Sequence, residues 1–307
     1  MIEAQGLTKV YGSKTAVAGV SFTVEPGRVT GFLGPNGAGK STTMRMIMGL
    51  DRPTSGSVTI NGVPYVRHRA PLREVGALLE ARAVHTSRSA YNHLLAMAAT
   101  HGISKARVHE VIGMTGLEAV ARKKAGGFSL GMGQRLGIAG ALLGDPQVLI
   151  LDEPVNGLDP EGVVWVRNLV RYLAGQGRTV FLSSHLMSEM AQTADHLIVI
   201  GRGRVIADAP IRDIITGKGQ ARVRVRTEEP ERLAQLLTAG GATVESPERE
   251  LLEVKGLDSK EIAGVALGHQ VMVYELTPLV ASLEEAYMEL TKDDVEYHSL
   301  PAAEVSK

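Results

Sequence analysis

Two hydrophobic periodicities organise the chain. Residues 2–10 and 21–24 alternate apolar and polar side chains, a period of two that predicts strands with one buried face, and 57–60 adds a third strand to the same antiparallel layer. The runs 29–33, 148–151, 179–182 and 196–200 are instead largely apolar throughout. Strands of that kind are buried on both faces, as in a parallel sheet flanked by helices. G-R-G-R-V-I-A from Gly201 predicts a hairpin that closes this sheet. Residues 90–144 carry Ala-rich helical periodicity and predict a helical lobe, whose methionines are explained by core packing.

A short polar, Gly-bearing stretch, T-G-K-G-Q at 216–220, marks a boundary. Beyond it the pattern predicts strand 221–226, helix 230–238, hairpin 242–255, helix 259–267, strand 271–276 and a final helix at 282–291. That β-α-β-β-α-β order predicts a small α+β, ferredoxin-like sandwich. The domains expected are therefore 1–217 and 221–292, with a charged, flexible tail at 293–307. R-V-R-V-R from Arg222 reads as one solvated strand face, with a basic contact strip as the alternative.

Composition narrows the class. Lys+Arg and Asp+Glu both count 33, a formal net charge of zero, which argues against a general binder of nucleic acid or anionic membrane. With no cysteine there are no disulfides or thiolate metal sites, as is compatible with the cytoplasm. No apolar run approaches the roughly 18 residues of a spanning helix, and the N-terminus lacks a basic flank followed by an apolar core.

Chemistry enters with G-P-N-G-A-G-K-S-T, residues 34–42, which fits G-x-x-x-x-G-K-[ST] between an apolar strand and a helix-prone segment. In such a loop Gly34, Pro35, Asn36, Gly37, Ala38, Gly39, Lys40, Ser41 and Thr42 wrap phosphate: backbone N–H groups and the helix start face the anion. Lys40 would reach the β- and γ-phosphates and the Ser41 hydroxyl would ligate Mg²⁺. The apolar run 148–151 then delivers Asp152 and Glu153 at a strand's C-terminal end, where ligands of open α/β sheets bind. Asp152 is placed to orient Mg²⁺, and Glu153 to polarise an attacking water as general base.

With F-S-L-G-M-G-Q-R from Phe128, N-G-L-D from Asn156 and S-S-H at 183–185 following in this order, residues 1–213 resemble the ATP-binding subunits of ATP-binding cassette (ABC) transporters. The resemblance implies an α/β fold of the ABC P-loop type, with a parallel core sheet, an antiparallel β-layer and a helical lobe. It implies that Ser129 and Gly131 present a signature loop to the γ-phosphate held by an opposite subunit. Leu130 stands where the family usually has the first signature glycine, as happens in some exporter branches. It further implies that Asp159 crosses the dimer interface, that His185 acts as a switch on the γ-phosphate, and that Tyr11 stacks on adenine. Where the family commonly has glutamine in the Mg²⁺-touching loop, this chain offers Glu80, as in bacteriocin, lantibiotic and bacitracin-type exporters. The segment from Arg82 to Leu95 would receive a permease's coupling helix.

The implied function is that of an ATPase subunit using ATP and Mg²⁺, homodimeric in the assembled transporter. It would sit in the cytoplasm on the inner face of the membrane, through an integral membrane permease that exports drugs or antimicrobial peptides. The alternative is a soluble ABC-type ATPase that remodels a macromolecular complex. Such relatives usually carry two cassettes or a long coiled coil, and this chain has one cassette and no sustained heptads.

Overall fold

The computed structural model describes residues 1–80, 84–215, 222–279 and 282–291, in two compact units, Met1–Ala209 and Pro210–Leu290. The expected boundary at 216–220, Arg82 and the tail from Asp293 lie outside the described residues.

The first unit begins β1 (Ile2–Tyr11), β2 (Lys14–Val24), β3 (Val29–Leu33), α1 (Lys40–Ile47) and β4 (Ser55–Ile60). It continues α2 (Pro71–Glu74), β5 (Val75–Leu78), α3 (Ala90–Thr100), α4 (Lys105–Met114), α5 (Leu130–Leu142) and β6 (Val148–Leu151). It ends α6 (Pro160–Gly175), β7 (Thr179–Ser183), α7 (Met187–Thr193), β8 (His196–Gly201) and β9 (Arg204–Pro210). The alternating segments form an antiparallel layer of order β2-β1-β4, and the apolar runs form a sheet of order β5-β6-β7-β3-β8-β9 with a parallel core. Every residue of β3, β6 and β7 is buried, which is why these strands read as largely apolar runs, unbroken in β6. Phe22 of the layer meets Phe32 and Phe181 of the sheet at centroid distances of 5.9 and 5.7 Å, so three rings join the two sheets into one core. Burying each ring stabilises by about 1.5–3 kcal/mol. Arg202 and Gly203, at φ 43° and 76°, turn β8 into β9 as the expected hairpin.

The second unit holds α8 (Ile211–Ile215), β10 (Arg222–Thr227), α9 (Pro230–Ala239), β11 (Thr243–Glu248), β12 (Leu251–Lys255), α10 (Ser259–Gly268), β13 (Val273–Leu279) and α11 (Leu283–Leu290). Its antiparallel sheet has order β11-β12-β10-β13, the arrangement of a ferredoxin-like sandwich. Val223 and Val225 point into its core. Arg224 and Arg226 of β10 face carboxylates: Arg224 lies 3.8 Å from Glu253, its register partner, and Arg226 lies 3.0 Å from Glu275, its register partner, and 3.6 Å from Glu248. Arg224 and Arg226 of the R-V-R-V-R segment thus form an ion-paired strand face, because the flanking strands supply the opposite charge.

Candidate functional site

The parallel register assembles the site. Leu151 pairs with Leu182 and Leu78 with Leu151, while Phe32 pairs with Ser183. Strands β5, β6, β7 and β3 therefore end side by side. The residues that follow them, Glu80, Asp152–Glu153, His185 and the 34–42 loop, emerge at one edge. A cavity of about 440 Å³ opens there, lined by Asn36, Gly37, Gly39, Lys40, Ser41 and Thr42 on one side and by Glu80, Asp152 and Glu153 on the other.

The loop is shaped by what its glycines avoid. Gly39 caps α1 at φ 107°, and a Cβ there would stand 2.6 Å from the Ala16 carbonyl oxygen; a Cβ on Gly34 would run into the Ile200 carbonyl. Gly34, Pro35 and Ala38 do not line the cavity. Instead the Gly34 and Pro35 carbonyls accept hydrogen bonds from Lys40 Nζ at 2.6 and 3.2 Å, the Ala38 N–H closes the turn on the Pro35 carbonyl, and the Ala38 carbonyl accepts from the Gly203 N–H of the β8–β9 hairpin. Lys40 is buried, and desolvation holds its ammonium below the ordinary lysine value while Glu153 and Asp152 pull the other way. A buried cation with this opposing field suits a polyanion that would restore full charge.

Ser41 Oγ donates to Asp152 Oδ2 at 2.8 Å, and Ser183 Oγ donates to Asp152 Oδ1 at 2.5 Å. Ser41, Asp152 and Glu80 thus bring a hydroxyl and two carboxylates to one cavity, a hard-oxygen donor set that fits Mg²⁺ with phosphate and water completing the shell. Glu80 lies two residues past the end of β5, facing the cavity, with an attraction to Arg45. His185 reaches Glu153 twice: Nδ1 lies 2.7 Å from Oε2, and its N–H donates to the same oxygen at 3.2 Å.

Other sequence candidates stand apart. Tyr11 is 46% exposed, donates its hydroxyl to Asp51 at 2.9 Å, carries Lys9 over its ring, and does not line the cavity. Ser129 is the exposed N-cap of α5 and accepts the Met132 N–H at 3.2 Å, and Asp159 caps α6 by accepting the Gly162 N–H at 2.9 Å. Gly131 packs against the Gly157 backbone, while Leu130, 43% exposed, touches the cavity that its neighbours do not reach. Ser183 and Gln134 stand inside the S-S-H and F-S-L-G-M-G-Q-R motifs, yet their residue types and spacing point to no role of their own. Each hydrogen-bonds the Glu153 backbone, at 3.0 and 2.8 Å.

Comparison with known proteins agrees with this geometry. A family model described as ABC transporter matches residues 17–156, a model described as a domain of unknown function matches 221–284, and an AAA-domain model overlaps at 123–191. The bacitracin transport ATP-binding protein BcrA of Bacillus licheniformis is 43% identical over 213 residues, 68% of this chain and 70% of its own length. The daunorubicin resistance ATP-binding protein DrrA3 of Streptomyces coeruleorubidus is 34% identical over 305 residues, 95% of this chain and 96% of its own length. A solved ATP-binding subunit of an ABC transporter superposes with TM-score 0.64 at 28% identity, covering 70% of this chain and 91% of that one. On these similarities, and on the strand-edge site that carries its motifs, the chain belongs to the ATP-binding, ATP-hydrolysing subunits of the ABC transporter family.

Proposed function

We propose that the chain closes on ATP with a second copy of itself and powers a separate membrane permease that exports a drug or antimicrobial peptide. The relatives' association with bacitracin transport and daunorubicin resistance favours export over the remodelling of a soluble complex. In this reading the protein sits on the inner face of the membrane through its permease, and no helix among the described residues is long and apolar enough to cross a membrane.

The observation that carries the reading is the convergence of Lys40, Ser41, Asp152, Glu153 and His185 at one sheet edge. Lys40 holds the β- and γ-phosphates. Ser41, Asp152 and Glu80 would hold Mg²⁺, which when bound neutralises charge that builds on the phosphates. Glu153 takes the proton of the attacking water. His185 shares a proton with Glu153 through Nδ1, and a doubly protonated ring also donates from Nε2 toward a γ-phosphate oxygen. Tyr11 offers its exposed ring to adenine. Ser129 and Gly131, at an exposed helix start, serve the γ-phosphate of the second copy, and Asp159 lies beside that contact.

Glu153→Gln tests this. It keeps the side chain's shape and removes the base, so ATP binding persists, phosphate release falls by about a hundredfold or more, and an ATP-bound dimer accumulates on size exclusion. A variant that stays monomeric with ATP, or that turns over normally, contradicts the reading.

A further inference from the structure

Glu153 has φ +51°, a left-handed conformation that costs free energy in a residue with a Cβ and persists only where its surroundings hold it. Both of its backbone polar groups are held. Its N–H donates to Ser183 Oγ at 3.0 Å, and its carbonyl accepts from Gln134 Nε2 at 2.8 Å and from the Asn156 N–H, across the turn, at 3.1 Å. Gln134 is 3% exposed and lies on α5, five residues beyond the N-cap Ser129. One turn earlier on the same helix, Gly131 approaches the loop that follows Glu153 so closely that a Cβ would stand 2.9 Å from the Gly157 carbonyl oxygen.

We propose that Gln134 is a positioning residue for the catalytic base: with Ser183 it clamps the Glu153 backbone in its left-handed turn and ties the direction of that carboxylate to α5. This rests on Glu153 being the base. The consequence is a link within one subunit. Helix α5 begins with Ser129 and Gly131, the residues assigned to the second copy's γ-phosphate, so a shift of α5 on docking reaches the subunit's own Glu153 through one amide. Ser183 cannot be tested alone for this role, because its hydroxyl also binds Asp152. Gln134→Met can: it keeps length and burial, removes the donor, and leaves the carbonyl bonded to Asn156.

The experiment measures ATP turnover, KM and ATP-dependent dimerisation of full-length Gln134→Met, alone and combined with Glu153→Gln. Gln134→Glu is the second variant, with an acceptor facing the carbonyl. Clamping predicts a kcat loss of about tenfold or more, larger for Gln134→Glu, with KM within about twofold and the dimer retained. It also predicts no further loss in single-turnover hydrolysis when Gln134→Met is added to Glu153→Gln, since the base it aims is already gone. Wild-type kcat in both Gln134 variants, or an equal loss in the Glu153→Gln background, overturns the proposal. If Glu153→Gln itself keeps normal turnover, the assignment of the base falls first, and the clamp with it.

Discussion

Gly39→Ala tests how the nucleotide loop is built. Gly39 sits at φ 107° and ψ 5°, outside the region open to L-residues, and a Cβ would stand 2.6 Å from the Ala16 carbonyl oxygen and 3.1 Å from Val17 Cγ2. Ala16 and Val17 belong to β2, and the adjoining Ala18 N–H is hydrogen-bonded to the Gly203 carbonyl, so the strand cannot yield without cost elsewhere. The dihedral cost is about 1–3 kcal/mol. Overpacking against a strand backbone adds about 1–3 kcal/mol. Gly12→Ala is the matched control: φ is +58° and nothing lies within 4 Å, so only a left-handed cost of about 1–2 kcal/mol remains. Gly39→Ala should therefore destabilise the first unit by about 2 kcal/mol more than Gly12→Ala. Trp165, the sole tryptophan, lies in α6 of that unit under the Arg135 guanidinium, so its fluorescence in a urea titration reports this unit's unfolding. ATP affinity should fall in Gly39→Ala and hold in Gly12→Ala, since only Gly39 lines the cavity. Equal destabilisation by the two substitutions, with ATP binding intact in both, would refute the close-approach argument.

Glu80 separates ligand from lever: Glu80→Gln keeps an oxygen and should retain much of the ATPase rate with altered Mg²⁺ dependence, whereas Glu80→Ala should keep some basal hydrolysis and lose stimulation by the permease. Reconstituted ATPase across a Mg²⁺ titration reads both, and wild-type stimulation in Glu80→Ala would reduce Glu80 to a strand-end residue. Lys40 gives a pH signature. Burial lowers its pKa in the free chain and phosphate favours its charged form, so between the two values ATP binding takes up a proton and affinity falls as pH rises toward the lysine range. Calorimetry in buffers of different ionisation enthalpy should detect that uptake in the wild type and miss it in Lys40→Ala; no uptake in the wild type would contradict the assignment.

What was legible in the sequence followed burial. Strands β3, β6 and β7 are enclosed on both faces, so each is a largely apolar run, and the chemistry lies at their ends. Strand β5 was harder to read, because V-G-A-L is short and interrupted: a Cβ on Gly76 would collide with the Ala141 carbonyl of α5, so helix packing forces the break. That strand nonetheless places Glu80. In the antiparallel layer β2 starts at Lys14, well before the clean alternation at 21–24, because Gly19 at φ 69° and the register shifts along β1 disturb the period. The partners of Glu153 were invisible for a different reason. Gln134 and Ser183 bind its backbone from 19 and 30 residues away, and no local spacing encodes a contact made by sheet register and helix packing.

The account turns on sites completed by two copies, and trans complementation measures that directly. Ser129→Arg places a cation where the second copy's γ-phosphate must dock, and Lys40→Ala empties the phosphate grip, so each homodimer should be inactive. In a hybrid one site carries both lesions and the other neither. An equimolar mixture should recover up to about one quarter of wild-type turnover, since half of randomly paired dimers are hybrids and each holds one intact site of two. Full hydrolysis by Ser129→Arg alone, or a mixture as inactive as its two components, would contradict the shared site.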